Sequence, residues 1–247
     1  MRARQTLIAV STAACLALAG VASADAARAP SAALAVPGTV LDLEFNEAAG
    51  ATVAVDSSGM NHDGAIGSHL RMNGSYADWD RHSPATNPYF GADHLIMVPD
   101  AADHSLDPQS STFVVEFRMR STDKFGNILQ KGQAKSQGGQ VKFQQPGGYV
   151  SCLFKTADTQ ASVKSSIATN DGQWHVIRCE RSTSEVRLYI DGVFNKRIRK
   201  TTGNINNNKA WTFGGKFECD PNNPNQGADS CDYYPGDIDW VRMSKGV

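Results

Sequence analysis

The sequence predicts an all-β protein, a two-sheet antiparallel β-sandwich or jelly roll, on three observations. Apolar and polar residues alternate with period two along the chain, and helical periodicity is missing. Clusters rich in Gly, Asn, Asp and Ser interrupt the alternation at short intervals, as in folds built from many short strands. Cys152, Cys179, Cys219 and Cys231 follow an apolar leader, an even set that suits disulfides in an exported chain.

The chain opens MRARQTLIAVSTAACLALAGVASADA. Arg2 and Arg4, an apolar run from Leu7 to Val21 and the small-residue site Ala22-Ser23-Ala24 make residues 1–24 an expected secretory signal peptide. The run is shorter than the ~20 residues a bilayer requires. Residues 25–37 read as a flexible arm and residues 38–247 as one domain. Losing Arg2 and Arg4 leaves 22 basic against 25 acidic residues, a formal charge of −3. That balance argues against nucleic acid as a partner, and no second long apolar stretch argues for membrane insertion.

Within the domain, TVLDLEF places Leu41, Leu43 and Phe45 on one face and Asp42 and Glu44 on the other. STFVVEFRMRS sets Phe113, Val115, Phe117 and Met119 against Val114, Glu116, Arg118 and Arg120. WHVIRCERSTSEVRLYIDGVFNKRIRK reads as a hairpin whose turn is Asp191-Gly192, the dipeptide that supplies the positive φ angles of a primed turn. The turns are DSSGMNHDG, KGQAKSQGG, TNDGQ and TGNINNNK, and residues 76–94 form the longest irregular loop. Four cysteines allow three pairings. Cys219 and Cys231 enclose eleven turn-rich residues, so a local bridge is expected there. Cys152 and Cys179 then pair by default, as a bridge between neighbouring strands.

FNEAAGATVAVDSSGMNHDGAI, DHLIMVPDAADHSLDPQSSTFVVEFRMRS, NDGQWHVIRCERSTSEVRLYIDGV and YYPGDIDWVRM follow one another in an order that resembles laminin-G-like, concanavalin A-like jelly rolls. The secreted bacterial members, including the actinobacterial type with both cysteine pairs, are the nearest match, over residues 38–247. The resemblance implies an extracellular module that binds glycans or proteins, often with calcium. It equally covers glycosidases and lyases, so the fold does not decide the activity.

No E-x-D-x-x-E string is present, and Asp237 and Asp239 lack a third carboxylate in phase. Jelly-roll lyases resembling this fold use an Arg-rich strand, a Gln-x-His strand and a tyrosine near the C-terminus. No Gln-x-His element is read in the sequence, and His175 is taken as structural. The turn DSSGMNHDG offers Asp56, Asn61 and Asp63 as hard oxygen ligands, and the resemblance adds Glu44 and Asp239. The expected cofactor is therefore one structural Ca2+ held by Glu44, Asn61, Asp63 and Asp239. A pyranose face packs on aromatic rings, which makes Tyr76, Trp79, Tyr89, Tyr233 and Tyr234 the candidate sugar platform. Trp174, Trp211 and Trp240 read as core or edge packing. NKRIRK, residues 195–200, is the one basic cluster, read first as a solvated strand face and second as a contact for an acidic glycan. The expected function is a secreted, lectin-like glycan-binding module. A polysaccharide-degrading enzyme and an extracellular protein-binding module are the alternatives.

Overall fold

The computed structural model describes residues 38–79, 92–217 and 232–246. The expected signal peptide, the whole of the arm, Tyr89 and the Cys219–Cys231 bridge lie outside these residues. Sixteen strands and two single 3-10 turns account for the regular structure described. The strands are β1 Thr39–Leu43, β2 Val53–Ala54, β3 Gly64–Ile66, β4 Arg71–Met72, β5 Ala77–Trp79, β6 Ile96–Val98, β7 Phe113–Arg120 and β8 Asn127–Lys131. They continue with β9 Gln140–Gln144, β10 Ser151–Lys155, β11 Gln160–Lys164, β12 His175–Arg181, β13 Glu185–Ile190, β14 Val193–Arg199, β15 Trp211–Phe213 and β16 Gly236–Lys245.

They form two antiparallel eight-stranded sheets, as the alternation predicts. Sheet A runs β14-β13-β12-β7-β16-β5-β4, with β1 also paired to β16. Sheet B runs β11-β10-β9-β8-β15-β6-β3-β2. The ten-residue β16 serves both ends of the fold: residues 236–238 pair with β5 and residues 241–244 with β1.

Each sheet turns its apolar phase inward. Phe113, Val115, Phe117 and Met119 of β7 are fully buried. They face sheet-B residues in phase, so Phe117 meets the edge of Phe143 at 5.6 Å and Phe113 stacks on Trp211 at 6.3 Å. At the β12–β13–β14 meander, Asp191 and Gly192 both take positive φ, 51° and 77°, as the turn requires.

Cys152 and Cys179 are bonded, with Cα atoms 6.6 Å apart. The pairing is as expected, but its placement differs. Cys152 lies on β10 of sheet B and Cys179 on β12 of sheet A, so the bridge crosses the sandwich instead of joining neighbouring strands. Both residues occupy inward phases, and this is what brings two separate sheets within reach.

One inward position of sheet B is not apolar. Lys131 sits between Val141 and Trp211, fully buried, and its Nζ donates to Asp100 at 2.5 Å and to the Lys209 carbonyl at 2.7 Å. Asp107, also fully buried, stands 3.4 Å away and accepts from the backbone N–H of Asn207. This network ties the 206–210 segment to the end of the core.

Candidate functional site

The outer face of sheet A is an ionic lattice. Along one row, Asp42 of β1, Arg242 of β16, Glu116 of β7 and Arg178 of β12 are cross-strand neighbours of alternating sign. Arg242 donates to both oxygens of Asp42 at 3.0 Å, a two-pronged pairing that fixes the last strand to the first. Further along the face, Arg118 binds Asp239 at 2.6 Å and Arg120 binds Asp237 at 2.5 Å. The two guanidiniums lie 4.8 and 4.6 Å from the Trp174 ring. Arg120 also donates to the Tyr76 hydroxyl at 3.0 Å, and Tyr76 meets the Trp174 edge at 5.5 Å.

The expected metal ligands have other partners. Asp239 is held by Arg118, and Glu44 stands 3.5 Å from Arg242. Asp63 accepts the backbone N–H of Asp56 at 2.8 Å, and Asn61 takes a left-handed φ of 59°. Asp56 organises the turn: its carboxylate accepts from the N–H groups of Asp42, Ser58 and His62 and from the Ser58 hydroxyl. Among the described residues, no three His, Cys, Asp or Glu side chains are arranged to hold a metal. Glu44 and Asp239 each face an arginine in this arrangement, whereas Asp63 belongs to the hydrogen-bonded turn.

The expected sugar platform also divides. Tyr76 is half-exposed, and Tyr233 is half-buried with its ring 4.9 Å from His94. Trp79 is only 4% exposed and Tyr234 is fully buried, its hydroxyl donating to the Arg120 carbonyl, so neither ring can receive a sugar. Burial also pushes the Tyr234 phenol well above its ordinary pKa. Trp211 is core, as expected, whereas Trp174 and Trp240 are half-exposed on the sheet A face instead of serving only as packing.

Gln173-Trp174-His175 does carry the Gln-x-His spacing, contrary to the sequence reading. The lyase set is still not assembled. His175 pairs with the inward Met119, so it faces the opposite side of the sheet from Arg118 and Arg120. Its Nδ1 and Nε2 bind Asp191 at 2.8 Å and Asp171 at 3.1 Å. Desolvation lowers its pKa, but the two carboxylates outweigh that and hold it above the ordinary histidine value.

The outer face of sheet B differs in chemistry. Cross-strand pairing aligns Leu153, Lys142, Gln130, Thr212, Met97 and Ala65 in one row. Over its middle lies a depression of about 220 Å3, lined by Met97, Gln130, Gln133, Ser136, Asn208 and Phe217 among others. Its lining holds one charged side chain, Lys209, and no carboxylate. Two turns read from the sequence build its walls, 131–139 and 202–209. They can approach because Gly138 is a glycine: at φ 82°, a Cβ there would lie 1.8 Å from the Asn206 carbonyl oxygen. Asn207 Nδ2 donates to the Gly139 carbonyl, and Lys131 anchors Lys209 from below. Phe217, 47% exposed, closes one side. Sequence reasoning missed this site. The available signal was the outward phase of three central strands, Gln130, Thr212 and Met97, next to two glycine- and asparagine-rich turns.

Two packed antiparallel sheets with solvated outer faces define a concanavalin A-like sandwich. The chain belongs to the Laminin_G_3 family of the concanavalin A-like lectin/glucanases superfamily, whose model matches residues 90–247. Among solved structures, domains LG4-5 of the mouse laminin alpha1 chain align with TM-score 0.50 and 15% identity, covering 61% of this chain and 40% of that one. The binding domain of Paraclostridial Mosquitocidal Protein 1 aligns with TM-score 0.56 and 14% identity, over 85% and 48%. The botulinum neurotoxin serotype G binding domain gives 0.56 and 13%, over 84% and 46%. The chain spans less than half the length of these solved chains, and at such identities the likeness is one of fold. A search of curated proteins gives no match.

Proposed function

We propose that the protein is an exported carbohydrate-binding module without catalytic activity, and that it holds a neutral saccharide in the depression on sheet B. The chemistry of the lining carries this reading. Amide and hydroxyl groups from Gln130, Gln133, Ser136 and Asn208 offer directional hydrogen bonds around an apolar floor at Met97 and an exposed aromatic ring at Phe217. A hydrolase would need paired carboxylates at its cleavage point, and this lining has none. The disulfide across the core supports export, because such bonds persist in oxidising compartments. Among the described residues, no helix is long and apolar enough to cross a membrane.

Calcium enters this reading at the 56–63 turn alone, with Asn61, Asp63 and backbone carbonyls as donors. When bound, the ion would supply a structural cross-link. Chelation is expected to lower the melting temperature, Asp63→Asn to remove that response, and Asp239→Asn to leave it intact. Equal melting in chelator and in excess calcium would remove the metal from the account. The saccharide reading is tested by titrating neutral oligosaccharides into the protein and into Phe217→Ala and Asn208→Ala, both at exposed positions that the core does not need.

A further inference from the structure

The connection from β3 to β4 runs beside the start of β6. The N–H of Gly67 donates to the Leu95 carbonyl and that of His69 to the Asp93 carbonyl, both at 2.9 Å. So close an approach requires Gly67, where a Cβ would lie 2.3 Å from the Ala92 carbonyl oxygen. It brings the His69 ring to 5.0 Å from the His94 ring, centre to centre. Tyr233 lies against Gly215, where a Cβ would meet its Cδ1 at 2.7 Å, and covers His94 at 4.9 Å. These three rings, with Trp79, Leu70 and Tyr234, line a cleft of about 10 Å3, the room of one water-sized ligand. Trp79 is almost wholly buried, and its indole Nε1 has no hydrogen-bond partner among the described residues. An unpaired buried donor is costly, so the cleft favours an occupant that accepts a hydrogen bond there.

We propose that His69 and His94 together bind one late first-row divalent transition-metal ion, Cu2+, Ni2+ or Zn2+, whose water accepts the Trp79 N–H. Imidazole suits these ions and is a poor ligand for calcium, so the site differs in chemistry from the 56–63 turn. The ring spacing fits: an ion about 2.0–2.1 Å from one nitrogen of each ring, at a near-tetrahedral angle, holds the ring centres roughly 5 Å apart. His69 is exposed, so its ring can turn toward the ion without disturbing the core. Burial of His94, then His69 beside it, lower the His94 pKa, which leaves the lone pair on that ring. Asp93, next to His94 in the chain, adds negative charge. Two protein ligands leave coordination positions open to solvent or to a donor from outside the chain.

The inference is independent of the saccharide site. Its test titrates CuCl2, NiCl2 and ZnCl2 separately into the purified, tag-free protein by calorimetry, and records the electron paramagnetic resonance spectrum of the Cu2+ form. One ion per chain is expected, tightest for Cu2+, with hyperfine splitting from two imidazole nitrogens and no displacement by excess Ca2+. His69→Gln and His94→Gln should each weaken binding about tenfold or more and remove one nitrogen from the spectrum. Because His69 is exposed, His69→Gln tests the site even if His94→Gln fails to fold. His175→Gln, which alters a histidine held by Asp171 and Asp191, should leave both readouts unchanged. No binding, wild-type affinity in His69→Gln, displacement by Ca2+, or a two-nitrogen spectrum that survives in His69→Gln would overturn the proposal.

Discussion

His175 shows how one side chain reports on its surroundings. Asp191 and Asp171 hold its folded pKa above the ordinary value despite desolvation. Its ion pairs therefore add stability that is complete below the unfolded histidine pKa of ~6.5 and is lost as pH rises through the folded value. The melting-temperature difference between wild type and His175→Gln should be largest in mild acid and vanish at alkaline pH. A difference that stays constant with pH would mean that the paired charges contribute nothing. His94 acts in the opposite sense: desolvation, then the neighbouring His69, lower its pKa, so its contribution is lost as pH falls. Comparing the two proteins at each pH isolates His175. Lys131 is the other telling residue. Removing its charge in Lys131→Met would take the cation from Asp100 and leave the fully buried Asp107 with only His104 at 3.4 Å and the Asn207 N–H, which should cost about 3–5 kcal/mol in denaturant unfolding. It should also loosen the wall at Lys209, so neutral saccharide binding should weaken with it. If stability is unchanged, the inward lysine is not holding the network.

The strands were largely legible, because period two in TVLDLEF and in STFVVEFRMRS is set by which side chains must leave water, and the structure buries those phases. The Asp191-Gly192 turn was legible because its backbone geometry is local. What could not be read was which elements face each other. Cys152 and Cys179 gave their pairing by arithmetic and their inward phases by alternation, yet nothing local indicates that β10 and β12 lie in different sheets. For the same reason the sequence does not reveal that Arg242 and Arg118 stand beside Glu44 and Asp239, two of the expected calcium ligands. The bridge across the core closes a loop of 27 residues, so its loss should cost about 3.5 kcal/mol by chain entropy. Cys152→Ala/Cys179→Ala should unfold at lower denaturant with the sheets otherwise intact. An unchanged midpoint would show that packing alone holds the sheets in place.

At the scale of the whole molecule, the sandwich presents two outer faces of different character. Sheet A is crossed by arginine–carboxylate pairs from Asp42 to Arg178 and becomes cationic at β14. Sheet B carries a depression whose lining includes a single charged side chain and whose walls are two turns locked together by Gly138, Asn207 and Lys131. A rigid floor with walls anchored in the core limits the ordering cost of binding, which favours recognition of a small, polar, ring-bearing ligand. The central claim is that this depression binds a neutral saccharide and does not cleave it. Its most direct test is calorimetric titration of neutral oligosaccharides into wild type and Phe217→Ala, with product analysis of the same mixtures. The account predicts saturable binding by wild type, a loss of about tenfold or more in affinity in the variant, and intact oligosaccharide recovered from both. Binding that is unaffected by Phe217→Ala, or shortened oligosaccharide in the wild-type mixture, would contradict it.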